Sequence, residues 1–276
     1  MKNILLPTDF SDNSFQAMDY TMKYFSGRKM KFVILNIQKS SDYIMDDLMT
    51  ATPGSSVHEA ISADNTSKLN EVVERYRSDY AHEAYEFEGL FDFDVFIDGI
   101  AQTVASRDID LIVMGTNGAS GAREAIFGSN TLKVIRQIKC PVLAIPENYE
   151  FKQLKKMLVT VIDEKYPTDE ALKPFMDFMD VHKPELHILH IDVNQHTSEA
   201  DANEVFNKLF ADLTVKNHYL KGIPAPMAIH TFTQLIGVDM HSILIEQKSF
   251  LDRFIYGSDT SRISYATKVP LLVMHD

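Results

Sequence analysis

The chain has 276 residues, a formal charge of −12 and 45% apolar residues. That length suits one large domain or two of ordinary size. The acidic balance argues against a general nucleic-acid or anionic-membrane surface, although backbone amides can still hold a local phosphate.

The opening "KNILLPTD" is a short apolar run that ends at Pro7 and reads as a buried strand leading into a loop. Its apolar stretch is too short for the core of a signal peptide, so the sequence implies a cytoplasmic protein. Residues 11–25 carry Phe15, Met18, Met22 and Tyr24–Phe25 at helical spacing, with Ser11 or Asp12 as the cap. "KFVILNI" is a second strand. The stretch 40–57, with Pro53, Gly54, Ser55 and Ser56 together, is irregular and a candidate lid. A long helix is expected from about His58 to Tyr85, with Ile61, Leu69, Val72, Val73 and Tyr76 on one face. "YEFEGLF", "IDLIVMG" and "CPVLAIP" read as further strands, and "VFIDGIAQTVASR" and "NTLKVIRQIK" as the helices between them. Such regular alternation predicts five parallel strands with helices on both faces.

The second half repeats this order. "KKMLVTVID" (155–163) parallels "MKNILLPTD" (1–9), which sets Asp163 in the place of Asp9. "ELHILHID" parallels "KFVILNIQ", "YGSDT" matches "FGSNT", and "KVPLLVM" matches "KCPVLAI". The expected fold class is therefore α/β: two tandem five-stranded parallel sheets arranged as a pseudo-twofold pair. The expected domains are 1–148 and 154–276. Their last strands, 141–146 and 269–274, should meet edge to edge and cover two otherwise exposed edges.

Four of the chain's 11 glycines, Gly115, Gly118, Gly121 and Gly128, fall within "IVMGTNGASGAREAIFGSNTLKVI" (112–135). This segment leaves the carboxyl end of one strand and opens a helix. Ligands bind at that edge of open α/β sheets, and glycine lets them approach the main chain closely. Ser129, Asn130 and Thr131 add side-chain donors beside the free N–H groups of a helix start, which together would cradle a phosphate. A surface turn with an ordinary Ser or Asn cap would use the same residues.

The spacing Gly115-x2-Gly118-x9-Gly128-Ser129 after "LIVM" resembles the nucleotide-binding signature of the universal stress protein family. "ILLPTDFSD" resembles that family's first strand and its following Asp, and "VIRQIKCPVLAIP" its last helix and strand. The likeness covers 1–146 well and 155–276 more weakly, as in tandem two-domain members. It implies a Rossmann-like fold of the adenine nucleotide alpha hydrolase type, and an ATP or other adenine nucleotide (AMP or ADP) as cofactor, with Mg²⁺ if a triphosphate is bound. Carried onto matching positions, Pro7, Thr8 and Asp9 would meet the adenosine, Asp9 accepting its hydrogen bonds. Ile37 would lie against adenine, and Met114, Gly115 and Gly118 would line the ribose and phosphates. Gly128, Ser129, Asn130 and Thr131 would hold the phosphates from the helix start. Arg123, the one cation inside the loop, could reach a terminal phosphate or simply be solvated. For Asp9 a cap of the first helix is the alternative, and for Ile37 and Met114 plain core.

In the second half, Glu246 is expected near the place of Gly115, the segment reads two residues shorter, and Phe250, Leu251, Phe254 and Tyr256 crowd it. Asp259 replaces Asn130, and its carboxylate would repel a phosphate. Val161 and Ile162 replace Pro7 and Thr8. This half is expected to pair with the first rather than bind nucleotide.

Eight of the ten histidines lie after residue 180. His187 and His190 are three apart on a predicted strand and so face opposite sides, while His182, His196, His218, His230 and His241 show no ligand spacing; no metal site is assigned. Cys140 has no paired base in view and reads as a buried structural thiol. The Walker pattern, GxGxxG and G-x-S-x-G are absent. A phospho-acceptor receiver domain would need further acids beside Asp9 and a late lysine that "CPVLAIP" lacks. The functional expectation is a nucleotide-dependent sensor or regulator of a stress response. It would be homodimeric, with no nucleic-acid or membrane partner and no catalytic residues assigned, since no general base or lysine clamp is in view for fast hydrolysis. A slow ATPase or nucleotidyl-transfer enzyme, and a ligand-free scaffold of the same fold, are the alternatives.

Overall fold

A computed structural model describes residues 2–39, 57–116, 128–162, 169–192, 208, 210, 213–245 and 268–275. The first half runs β1 (Asn3–Pro7), α1 (Asp12–Tyr24), β2 (Met30–Gln38), α2 (Val57–Asp79), β3 (Tyr85–Phe93), α3 (Phe96–Ser106), β4 (Leu111–Gly115), α4 (Ser129–Gln137) and β5 (Val142–Ile145). The second runs β6 (Lys156–Ile162), α5 (Asp169–Met179), β7 (Glu185–Asp192), β8 (Val215–Lys221), α6 (Ala225–Ile236), β9 (Met240–Ile245) and β10 (Leu271–His275). The long second helix ends at Asp79, short of the expected Tyr85, because Tyr85 already pairs with Met30 in the β2–β3 ladder. The candidate lid at 40–57 lies almost wholly outside the described residues.

All ten strands belong to one sheet, in the order β3-β2-β1-β4-β5-β10-β9-β6-β7-β8. Within each half the strands are parallel, in the same order. The halves join through the antiparallel pairing of β5 with β10, Leu143 opposite Leu272 and Val142 opposite Val273. Two edges that would each present unpaired amides cover one another at this seam.

Side chains alternate between the two faces of the sheet. Ile4 and Leu6 join a core with Met18 of α1, Val73 of α2 and Phe178 of α5. Leu5 points the other way, into a core with Ile100 of α3, Val134 of α4 and Ile229 of α6. On the first face the halves also touch through helices. The Tyr24 ring stacks on Phe178 at 4.5 Å between centroids, and its hydroxyl donates to the Phe178 carbonyl at 3.1 Å. Cys140 is buried, and burial with the nearby Asp110 carboxylate pushes its thiol up to about 12, the state of an inert packing group.

Identical backbone clamps mark the duplication. Asp110 accepts the N–H groups of Lys2 and Asn3, and Asp239 accepts those of Lys155 and Lys156. Ile112 N–H donates to Pro141 O as His241 N–H donates to Pro270 O, each at 2.9 Å.

Candidate functional site

In each half the chain moves outward from its first strand in one direction, then returns to place its fourth strand on the other side. The carboxyl ends of β1 and β4 are therefore neighbours whose following segments diverge, and this is the switch point where open α/β sheets bind ligands.

At the end of β1, Pro7 and Thr8 are both buried. Thr8 is held on all sides. Its N–H donates to Leu35 O, its carbonyl accepts from Asn36 Nδ2 at 2.7 Å, and its hydroxyl lies 2.9 Å from Ser14 Oγ and accepts from Phe10 N–H. Asp9 is exposed. Its Oδ1 accepts the backbone N–H and the hydroxyl of Ser11, at 3.1 and 2.5 Å. Ser11, not Asp9, caps α1, accepting the N–H of Ser14 at 3.3 Å. Phe10 between them has φ +61°, a left-handed conformation costing a non-glycine residue about 1–2 kcal/mol. The turn thus bends the chain sharply after β1 and leaves the Asp9 carboxylate at the surface of the crevice.

Ile37, near the end of β2, is half-buried and packs against α3. A Cβ on Gly99 would stand 2.8 Å from its Cδ1, so the glycine in α3 makes room for this isoleucine. Met114 is buried at the end of β4.

Gly115 has a neighbour the sequence did not reveal. A Cβ at this position would lie 2.5 Å from Nδ2 and 2.6 Å from Cγ of Asn13, so the Asn13 carboxamide fills the space a side chain would take. Ser11, Asp12, Asn13 and Ser14 all read as capping residues, which hid the one that faces the sheet. Two further bonds close the base of the glycine segment. Gly128 N–H donates to Thr116 O, and the Thr131 hydroxyl donates to Gly115 O at 2.9 Å. Residues 116 and 128 are therefore pinned side by side. Gly118 and Arg123, between them in sequence, lie outside the described residues.

Helix α4 starts at this closure. Its N-cap is Gly128, which offers no side-chain acceptor, and its first turn holds no acid. The backbone donors of Ser129, Asn130 and Thr131 therefore lie at the positive end of the helix dipole, with no side-chain cap and no first-turn acid among the described residues. Ser129 and Asn130 are exposed, whereas Thr131 is buried with its hydroxyl proton already committed to Gly115. Thr131 can present its backbone N–H but not its side chain. Chemically, the arrangement sets helix-start amides, the kind of group that can hold an anion, next to a short apolar strand end, with one carboxylate on the opposite lip.

The sequence pattern of the universal stress protein family matches residues 1–146. The chain belongs to that family. Universal stress protein MJ0577 of Methanocaldococcus jannaschii is 22% identical over 152 residues, covering 52% of this chain and 94% of that protein. MJ0531 of the same organism is 26% identical over 151 residues, 52% of this chain and 81% of its own. The crystal structure of a universal stress protein from Archaeoglobus fulgidus covers 98% of this chain and 97% of its own, with a TM-score of 0.69 and 20% identity, which shows the shared fold along the full length.

The register of this universal stress protein corrects the alignment of its halves. Met157 and Leu158 pair with β9 as Ile4 and Leu5 pair with β4, a shift of 157 − 4 = 153 residues. Thr160, Val161 and Ile162 thus stand level with Pro7, Thr8 and Asp9, and Asp163 falls one residue beyond. The sequence match had aligned identical letters, but the pairing of the strands sets the true correspondence. Across β4 and β9 the shift is 241 − 112 = 129, read from the matching N–H bonds to Pro141 and Pro270. It places Leu244, not Glu246, at the position of Gly115, and it also carries Gly128 onto Gly257 (257 − 128 = 129). The second segment is therefore equal in length to the first, not two residues shorter. At the described positions the second crevice has isoleucine for Asp9 and leucine for Gly115. Asp259 and the aromatic residues of its loop lie outside the described residues.

The histidines also meet the expectation in part. His187 and His190 do lie on opposite faces, His187 on the face of α6 with Leu189, and His190 stacked on Tyr219 on the other. Among the described residues, no group of three or more His, Cys, Asp or Glu is placed to hold a metal ion, and no helix is long and apolar enough to cross a membrane.

Proposed function

We propose that residues 1–148 of this universal stress protein bind ATP or a related adenine nucleotide at the β1/β4 switch point, and that the bound state is what the protein signals. The observation that carries this reading is the bare start of α4. Its glycine cap leaves backbone donors at a helix N-terminus, beside the end of β4, with no side-chain cap and no acid in the first turn among the described residues. Asp9, fixed by Ser11 on one oxygen, would accept from the adenosine, with Ile37 and Met114 as apolar walls. Gly115 and Gly118 would let the ligand approach the main chain, while Gly128, Ser129, Asn130 and the Thr131 N–H would hold phosphates, with Arg123 reaching a terminal one. Mg²⁺ would accompany a triphosphate, held by its oxygens and water. The polar, uncapped cradle fits such a ligand.

Residues 154–276 form a second domain on this reading, whose crevice has exchanged the carboxylate and the glycine for bulk and whose role is to pair with the first. Nothing in the described site supplies a general base for the γ-phosphate, so turnover is at most slow. A cytoplasmic homodimer is the assembly we assign.

Small molecules extracted from the purified protein and identified by mass should include an adenine nucleotide. ATP at 100 times its Kd should stabilise the fold by about 2.7 kcal/mol, and Asp9→Ala should weaken binding without unfolding the chain. Absence of co-purified nucleotide together with an unchanged melting temperature in millimolar ATP would leave the scaffold reading standing instead.

A further inference from the structure

At the far edge of the second half, four side chains meet, two from each of the neighbouring strands β7 and β8. His187 of β7 is buried, with Nε2 2.6 Å from Glu185 Oε1 and Nδ1 3.1 Å from Nε2 of His218 on β8. The two rings are nearly parallel, 6° apart, and Phe232 of α6 lies across both. Lys216 Nζ sits 3.0 Å from the same Glu185 oxygen. We propose that His187 and His218 are a proton-sharing pair that responds to mild acid by releasing the edge strand β8.

The argument is one of proton counting. Glu185 accepts, since the Lys216 ammonium and His187 hold its carboxyl below the usual range. His187 must then present N–H at Nε2. Between Nδ1 of His187 and Nε2 of His218 there is room for one proton, donated by either ring. A pair that is neutral, or carries one charge, keeps this bond. A doubly charged pair puts two N–H groups head to head at 3.1 Å and cannot keep it. A freed His218 takes up its proton near pH 6.5, whereas in the fold, where that proton would face the His187 N–H, its imidazole is held below its ordinary value, so below that pH the folded state binds fewer protons and acid favours opening.

The surroundings reinforce the refusal of the second proton. Burial first, then His187 beside it, Lys216 on the same face of β8 and His190 acting across the sheet from β7, hold the His218 imidazole below its ordinary value. From β6, Lys156 lies opposite Glu185 in register and gives its ammonium to the Ile236 carbonyl. From α6 the facing group is the apolar Phe232, and His230 on that helix is exposed and bonded to Gln234. Glu185 is the one anion of this group. Because β8 ends the sheet order, among the described residues only β7 pairs with its backbone, and its loss leaves the other nine strands paired.

Hydrogen exchange of the full chain, read by mass spectrometry on peptides spanning 215–221 at pH 7 and pH 5.5, tests this. After correction for the intrinsic rate, exchange in β8 should rise by up to about eightfold at the lower pH while β1 and β4 stay protected, since one withheld proton is worth about tenfold per pH unit only below the free imidazole value of about 6.5. In His218→Gln, which keeps a polar group but cannot bind the second proton, β8 should exchange alike at both values. Nitrogen-15 NMR of the imidazoles should show coupling across the Nδ1–Nε2 bond. A pH response of β8 that persists undiminished in His218→Gln, or two rings that titrate independently near 6.5, would overturn the proposal.

Discussion

Replacing Gly115 with alanine separates two reasons for a glycine there, room for a ligand and room for Asn13. The new methyl would sit 2.5 Å from Asn13 Nδ2, 2.6 Å from Cγ and 2.9 Å from Oδ1. Carbon contacts settle near 3.5–4.0 Å, so Asn13 must retreat by about 1 Å. Because Cγ is among the crowded atoms, a swing of the amide end alone gives no relief; the side chain has to leave its rotamer, and its buried carboxamide oxygen goes with it. The φ of Gly115 is not in the left-handed region, so alanine brings no backbone strain to confuse the result. Overpacking of this kind costs about 1–3 kcal/mol. Asn13→Ala removes the three atoms nearest the new methyl, and in that background the alanine at 115 should cost less than about 0.5 kcal/mol, giving a coupling of at least about 0.5 kcal/mol in the double-mutant cycle. Urea denaturation of the four proteins measures it. Equal costs for Gly115→Ala in both backgrounds would refute the packing argument and leave only the ligand to explain the glycine.

Three further outcomes follow from buried groups. Thr131→Val strands the Gly115 carbonyl without its 2.9 Å donor and should cost about 1–3 kcal/mol, with nucleotide binding reduced because the base of the loop is unpinned; an unchanged denaturation midpoint would contradict this. Val273→Pro removes a ladder N–H from a strand paired on both sides and should cost at least about 3 kcal/mol, read as loss of the single cooperative transition; a wild-type curve would show that the seam contributes little. His241 is wholly buried against Thr160, and burial drives its imidazole down to about 3. The folded ring stays neutral while the unfolded one charges near 6.5. This stability is whole above that pH and drains as pH falls, by about 1.4 kcal/mol per unit. His182, His190 and His275 lean the same way. His241→Gln should remove about 2 kcal/mol of the loss between pH 6.5 and 5, and an identical pH slope would argue that the ring does charge in the folded state.

Much of the fold was readable along the chain, because each strand and helix announces itself through a local period. "KFVILNI" is apolar on both faces, and the strand it forms is buried on both. The pairing of residues 141–146 with 269–274 was also legible, since each lone half would leave a bare edge. The crevice was less so. Gly128 and Ser129 could be assigned to a helix start from spacing, but the role of Thr131 changed once its hydroxyl was found turned inward.

Composition, periodicity and the repeated order of strands settle which elements exist, how they alternate and that the chain is built twice, because these depend on neighbours in sequence. Three-dimensional packing alone decided the partners of single side chains. Asn13 meets Gly115, His187 meets His218, and Ile162 rather than Asp163 stands level with Asp9. A strand shifted by one residue turns every side chain to the opposite face, so matching letters cannot reveal a register that is set by hydrogen bonds between strands far apart in the chain.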